Sequence, residues 1–197
     1  IIFNKIVEIL LAIIFSFYIL IDKGVLKNNY QKLTNSYLSK DKRDRLQEIL
    51  NTTEQTFSSF FLGQFKEAVI LGVLCTVGML IFRFPYATTI GSVVGLTALI
   101  PMVGAYLGAG VGFLLIFIID PIQSLLFLVF IIILQQIEGN IIYPQIVGDT
   151  IGLPGIWVFA AIIVGGSLMG IMGILIGVPV AATIYKLISK AVEKNES

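Results

Sequence analysis

Four polar side chains follow a strongly apolar run in the second half of the chain. Gln135, Gln136, Glu138 and Asn140 come after a stretch rich in Leu, Val, Ile and Phe that begins at Pro121. Residues three or four apart share a face of a helix, so these spacings give two adjoining polar faces. No Lys or Arg lies nearby in the sequence to pair with the glutamate. Such a group can line a polar pathway, where the carboxylate binds a cation or a proton, or hydrogen-bonds a neutral polar solute.

A second interpretation places the same residues at a hydrated helix end. Glu138 lies about 25 Å along a helix that starts at Pro121. That distance brings it toward the far edge of a hydrocarbon core of about 30 Å, where amides and carboxylates are solvated. The sequence alone leaves both interpretations open.

The composition indicates that most of the chain is surrounded by lipid. Of its 197 residues, 57% are hydrophobic and 13% are charged, and the mean hydropathy is +0.97. A soluble domain carries about 25% charged residues. Because the apolar runs also reach the roughly 20 residues of a spanning helix, we predict an all-α, polytopic membrane protein with interrupted transmembrane helices.

Several classes of function are excluded by the residues that are absent. No Lys or Arg occurs from Phe84 to Tyr185, which excludes nucleic acid as a partner because its binding needs clustered cations. The chain has no His, a single Cys and no phosphate-binding loop of the G-x-x-x-x-G-K-[ST] type. We therefore expect no enzyme activity, no cofactor and no metal site, and membrane lipid as the surrounding partner.

The organisation follows from the apolar runs and from the bias of Lys and Arg. We predict a transmembrane helix at 1–21, a polar and partly amphipathic helical segment at 22–67, a transmembrane bundle at 68–188 and a tail at 189–197. About four crossings are expected in the bundle. The cations concentrate in the polar segment and the tail, which places both in the cytoplasm. The first residue is not Met and already lies in an apolar run, so we interpret the chain as the C-terminal part of a longer protein.

Two apolar stretches, 86–119 and 155–188, are too long for straight crossings. As helices they would reach about 50 Å, against a core of about 30 Å. Breaks free backbone groups, which must be buried in protein or line a wet cavity, and paired interrupted segments point to a transporter's binding site. A re-entrant hairpin at the first break would change the number of crossings unless the last stretch did the same. The predicted breaks that line the site are Pro101, Gly104, Gly165, Gly166 and Gly170.

Small residues are spaced for close helix packing. Helices in lipid associate through faces of small residues, because no hydrophobic force drives them together. Glycines four residues apart place such faces on two of the predicted spans. They are Gly91 with Gly95, Gly104 with Gly108 and Gly112, Gly166 with Gly170, and Gly173 with Gly177.

The remaining polar and aromatic residues have simpler interpretations. Asp120 and Asp149 adjoin predicted helix ends and are expected in solvated loops. Tyr86, Tyr143 and Trp157 are typical of an aromatic belt at the membrane interface.

Three segments resemble the signatures of a known family. Residues 95–109 (G-L-T-A-L-I-P-M-V-G-A-Y-L-G-A), 135–154 (Q-Q-I-E-G-N-I-I-Y-P-Q-I-V-G-D-T-I-G-L-P) and 165–182 resemble ordered motifs of the autoinducer-2 exporter family. Ala105 and Met102 depart from the residues that many members carry there. The resemblance implies a homo-oligomeric inner-membrane protein. Some members resemble exporters of the autoinducer-2 signal, and others resemble sodium/proton antiporters.

Three functional hypotheses remain. The first is a secondary transporter that moves a small polar solute, with autoinducer-2 as a candidate, across the bacterial cytoplasmic membrane by alternating access. The alternative is an antiporter that exchanges Na⁺ or Li⁺ for protons. A non-transporting membrane scaffold, which would use the polar segment to dock partners, is the third.

Overall fold

The computed structural model describes residues 2–148 and 152–196, and Asp149 lies outside them. Within these ranges the chain is helical and contains no strand, so the predicted all-α class is confirmed. Two short π-helical turns, Glu138–Ile142 and Pro144–Gly148, follow the sixth helix. The α-helices are α1 (Ile2–Ile21), α2 (Lys23–Tyr37), α3 (Lys40–Ile81), α4 (Ala87–Ala98), α5 (Val103–Phe117), α6 (Pro121–Ile137) and α7 (Gly155–Glu196).

The chain divides into two compact units, Ile1–Leu50 and Asn51–Ser197. The first unit contains α1, α2 and the beginning of α3. There Arg43 Nη1 donates a hydrogen bond of 2.7 Å to Asn35 Oδ1. The second unit contains the rest of α3 and all later helices. Helix α3 runs without interruption through residue 67, the predicted end of the polar segment.

Helices α4 and α5 form an antiparallel pair that we call the Pro101 hairpin (residues 87–117). Gly104 packs against the backbone of Thr97 and Ala98. Farther from the tip, Gly108 packs on Val94, and Gly112 packs on Ile90. Increasing residue numbers in α5 thus pair with decreasing residue numbers in α4, so the two helices run antiparallel on either side of Pro101.

The reversal at the tip has local backbone causes. Pro101 has no amide hydrogen and cannot continue the hydrogen bonds of α4. The carbonyl of Thr97 instead accepts from Ile100 N at 2.9 Å, which tightens the last turn. Met102 then takes a φ of 61° and a ψ of −43°, and Val103 N donates to the Pro101 carbonyl at 2.7 Å, as in a γ-turn with positive φ, which is rare and strained. Gly104 N donates back to the Ile100 carbonyl at 2.9 Å and starts α5.

The last helix also folds back, and we call it the Gly170 hairpin (residues 155–196). Gly170 has a φ of 61° and a ψ of −138°, a conformation open only to glycine at low cost. Gly165 and Gly173 touch through their backbones, and Gly177 lies on the carbonyl of Ala161. Residues eight apart on a straight helix would be about 12 Å apart, so these contacts require two antiparallel arms.

The predicted packing role of the glycines is confirmed for three of the four sets. Gly91 and Gly95 lie against Thr76, Gly72 and Ala68 of α3, and a Cβ on either would clash there. The sets in α5 and in the second arm of the Gly170 hairpin make the contacts described above. Gly166 has only the Ile174 side chain near it, and Gly170 has open space around it.

The helices of the second unit enclose two apolar cores. The larger core joins α3, α4, α5 and α6 through residues such as Leu71, Ile90, Ile116 and Phe127. The smaller core joins Phe60 of α3 to the Gly170 hairpin. Most other large apolar side chains are exposed, as expected for a protein whose outer surface faces lipid.

The two hairpins change the expected path through the membrane. The sequence analysis counted 86–119 and 155–188 as one crossing each, but both stretches reverse direction. Helices α4 and α5 have 12 and 15 residues, or about 18 and 22 Å, less than the core of about 30 Å. Among the described residues, three apolar helices are long enough to span a membrane, Lys40–Ile81, Pro121–Ile146 and Gly155–Glu193, and the last of these contains the reversal at Gly170.

The Pro101 hairpin should enter and leave the membrane on one side. In a protein whose Cys75 is replaced by Ala, we expect Arg83→Cys and Ile119→Cys to react with a membrane-impermeant maleimide from the same side. Glu193→Cys should react from the opposite side. A full crossing by 86–119 would instead place Ile119→Cys on the side opposite to Arg83→Cys, which would overturn the hairpin topology.

Gly104 and Gly110 offer a matched test of the close helix contact. Gly104→Ala should lower the free energy of unfolding by about 1–3 kcal/mol, because its Cβ would overlap backbone atoms of Thr97 and Ala98. Gly110→Ala on the same helix meets nothing within 4 Å and should be neutral or stabilising by up to about 1 kcal/mol. Thermal unfolding in detergent measures both variants, and equal stabilities would contradict the described contact.

Candidate functional site

A cavity of about 560 Å³ lies between α3, the tip of the Pro101 hairpin and the end of α6. Its wall is mostly apolar, with Leu71, Ala109, Leu128, Ile131 and Ile132 among its residues. Its polar side chains are Glu67, Tyr106, Gln135, Gln136, Glu138 and Tyr143. We call the group formed by Glu67, Gln135, Gln136, Glu138 and Tyr143 the polar end.

Two carboxyl groups meet at the polar end. Glu67 of α3 is 6% exposed and is hydrogen-bonded to the half-buried Glu138, which follows α6. A hydrogen bond between two carboxyl groups needs a proton on one of them, which donates to the other. The lining residues of the cavity include no Lys or Arg, so no side-chain cation compensates the pair there.

Gln64 connects this pair to the tip of the Pro101 hairpin. Its Nε2 donates to Glu67 Oε2 at 3.2 Å and to the carbonyl of Ala98 at 3.2 Å. Ala98 is the last residue of α4, and the break at Pro101 leaves its carbonyl without the usual helical partner. The buried amide therefore satisfies a backbone group that the helix break has freed.

Two polar atoms of the site have no partner. Gln64 is 2% exposed, and its Oε1 accepts no hydrogen bond. Gln135 Nε2 is likewise buried and without an acceptor. Of the two, Gln135 lines the cavity, so its free N–H group can donate to a ligand there.

The backbone at Glu138 is itself irregular. The α-helix changes to a π-helical turn at this residue, and Tyr143 N donates to the Glu138 carbonyl five residues back. Such turns are frequent at functional sites because they redirect side chains within a helix. Tyr143, predicted for an aromatic belt, instead lines the cavity close to both carboxyl groups.

Three of the four predicted pathway residues line the cavity, namely Gln135, Gln136 and Glu138. Asn140 does not line it. It is exposed, and its Nδ2 donates to the Gln136 carbonyl at 2.8 Å and to Gln136 Oε1 at 3.2 Å.

The predicted helix breaks lie in two different places. Pro101 is buried at the hairpin tip, and its neighbours Ile100 and Met102 line the cavity. Gly104 supports the tip from within the helix pair. Gly165, Gly166 and Gly170 belong to the other hairpin and are not among the lining residues, so their predicted role in a site stays a prediction.

Glu67 and Gln64 are not among the predicted site residues, because both fall in the predicted polar segment. Gln64, Glu67, Ala68 and Leu71 recur at helical spacing and continue directly into the apolar run. That continuity was the available signal that both polar residues face the protein interior. Asp120 lies at a helix end, as predicted. It is the N-cap of α6, and its Oδ1 accepts a hydrogen bond from Ile122 N at 2.9 Å.

The site offers little to a metal ion. Among the residues that the structure describes, no group of three or more His, Cys, Asp and Glu side chains could hold one. The side chains that line the cavity offer two carboxyl groups, two amides and two phenols, which exchange protons and hydrogen-bond polar groups.

Comparison with known proteins establishes the family. The model of the AI-2E family transporters matches residues 2–193. The chain belongs to the AI-2E transporter family. It is 31% identical over 137 residues to "Putative transport protein YueF" of Bacillus subtilis, covering 70% of this chain and 37% of that protein. It is 30% identical over 168 residues to "Putative transport protein YrrI" of the same organism, covering 85% of this chain and 46% of the relative.

The AI-2E relatives are also found in archaea. A "Putative transport protein" of Archaeoglobus fulgidus is 28% identical over 189 residues, which cover 94% of this chain and 54% of the relative. The chain thus spans about half or less of the length of these relatives. No solved structure matches it.

Gln64 should be needed for stability in this AI-2E family member. Replacing it with Leu leaves the Ala98 carbonyl and the Glu67 carboxyl group without their shared donor. An unsatisfied buried polar group costs about 1–3 kcal/mol, so we expect Gln64→Leu to lower the unfolding temperature in detergent. Gln55→Leu, an exposed exchange on the same helix, is the control. Equal unfolding temperatures would show that the amide does not hold the hairpin tip.

Proposed function

We propose that this AI-2E family protein is a secondary transporter that moves a small polar solute across the bacterial cytoplasmic membrane by alternating access. The cavity at the Pro101 break carries the proposal. It joins an apolar wall to a polar end built from three helical elements, as in small-molecule sites. A broken helix beside a cavity is also the usual construction of a transporter's site.

The polar end favours a solute rich in hydroxyl or carbonyl groups. Gln135 and Gln136 supply amide donors and acceptors to the cavity, and Gln135 Nε2 is unpartnered. Autoinducer-2, a small polar signal molecule, fits this chemistry and is our candidate solute. We further propose that the polar segment and the C-terminus face the cytoplasm, from the bias of Lys and Arg. The protein would act as a homo-oligomer, as the family resemblance implies.

The solute proposal is tested with the natural-length protein in sealed lipid vesicles loaded with labelled autoinducer-2. We expect wild-type protein to release the label and Gln135→Leu to slow the release by about tenfold, the effect of losing roughly 1.4 kcal/mol of binding in the transition state. Gln123→Leu, the same exchange near the other end of α6 and away from the cavity, should transport normally. No release by wild-type vesicles would rule out autoinducer-2.

Exchange of Na⁺ or Li⁺ for protons is the second candidate, because two carboxyl groups face a cavity whose lining includes no Lys or Arg. The same vesicles, given an imposed pH gradient, distinguish it. Collapse of the gradient on adding either ion, lost in Glu138→Gln, would favour the antiporter. An unchanged gradient together with release of labelled autoinducer-2 would favour the solute transporter.

A further inference from the structure

We propose that Glu67 and Glu138 together form a proton-binding site, in which one proton is shared between two carboxyl groups on different helical elements. The inference deepens the proposed function, since it names a ligand of the same cavity. It rests on the contact between the two groups, on their neighbours and on the unpartnered amide beside them.

The contact itself demands a proton. Glu67 and Glu138 are hydrogen-bonded to each other, and two ionised carboxylates cannot donate to one another. Two negative charges in contact would also repel strongly in a site largely removed from water. Holding one proton between the groups removes both problems and leaves the pair with a single negative charge.

The side chains that line the cavity include no cation that could stabilise two negative charges on the pair. Tyr143, from the π-helical segment, lies near both groups but is a neutral hydroxyl. From the Pro101 hairpin, Tyr106 lines the cavity, and α6 contributes the amides of Gln135 and Gln136. The Gly170 hairpin contributes apolar side chains to the core against which Tyr143 packs. The nearest cation in sequence, Lys66, is exposed and is not among the lining residues.

The buried amide of Gln64 links the carboxyl pair to the hairpin tip. Gln64 is 2% exposed. Its Nε2 is committed to Glu67 and to the Ala98 carbonyl, while its Oε1 remains without a donor. The same side chain therefore contacts the carboxyl pair and the hairpin tip. A change in the charge of the pair alters the hydrogen bond that Gln64 donates to Glu67. Because Gln64 also donates to the Ala98 carbonyl, this change reaches the tip of the Pro101 hairpin.

The exchange step is simple. One O–H bond of the shared carboxylic acid breaks, the proton passes to water that enters the cavity at the half-buried Glu138, and two carboxylates remain. Uptake reverses the step. No oxidant, metal or other reactant takes part.

Infrared difference spectroscopy of the natural-length protein in lipid bilayers tests this site directly. We expect wild-type protein at neutral pH, where an isolated glutamate is ionised, to show the carbonyl stretching band of a protonated carboxylic acid. The band should shift in D₂O and disappear at alkaline pH. Glu67→Gln and Glu138→Gln should each lose it, because each removes one half of the shared site. Glu54→Gln, an exposed exchange on α3, should retain it.

The outcomes separate the alternatives. Absence of the band in wild-type protein would overturn the proposal without need of any variant. Persistence of the band in either single variant would show that one carboxyl group holds the proton alone, which overturns sharing. The spectra do not involve autoinducer-2, so failure of the solute experiment would reject the proposed solute and leave the proton site standing on its own result.

Discussion

The structure depends on how backbone groups are satisfied where a helix ends inside an apolar environment. A carbonyl freed within the membrane cannot turn to lipid and must find a donor in the protein. At the tip of the Pro101 hairpin, the Thr97 carbonyl is satisfied by Ile100 and the Ala98 carbonyl by Gln64. The second bond fixes α3 against the tip. Since Glu67 lies one turn after Gln64, the same requirement brings its carboxyl group to the cavity.

The reversals are possible only because side chains are missing where the arms meet. At Gly104 in one hairpin, and at Gly165 and Gly173 in the other, the backbones lie so close that a Cβ would overlap the facing chain. Each hairpin is therefore narrow. In the Pro101 hairpin this close pairing is combined with small residues on the cavity side, Ala105 and Ala109, which leave room that larger side chains would fill.

The sequence predicted the helical class, and two of its predicted breaks, Pro101 and Gly170, lie where the helix is interrupted, because proline and glycine act through local backbone geometry. The other three, Gly104, Gly165 and Gly166, lie within helical arms. The sequence did not show which glycine ends an arm. It also did not predict that the chain reverses at Pro101 and Gly170. A break at Pro101 is compatible with a kinked crossing or with a hairpin, and the choice depends on contacts such as Gly108 with Val94. The same limit applies to the site. Gln135, Gln136 and Glu138 stand out because their neighbours in sequence are apolar, whereas Glu67 follows a polar segment and is recognised only once α3 packs beside α6.

The position of the carboxyl pair follows from the packing of α3. Phe60 of this helix belongs to the core formed with the Gly170 hairpin, and Ala68 belongs to the core formed with the Pro101 hairpin. Gln64 and Glu67 lie between these two residues, where one apolar core gives way to the other. A carboxyl group inside either core would lose its hydration without gaining partners, at a cost of several kcal/mol. At the junction it reaches Glu138 and Gln64, and Tyr143, which packs on the smaller core, lies beside it. A change in the protonation of this pair therefore acts at the part of α3 that both hairpins contact. From there, a small local change can alter the packing of either hairpin on α3.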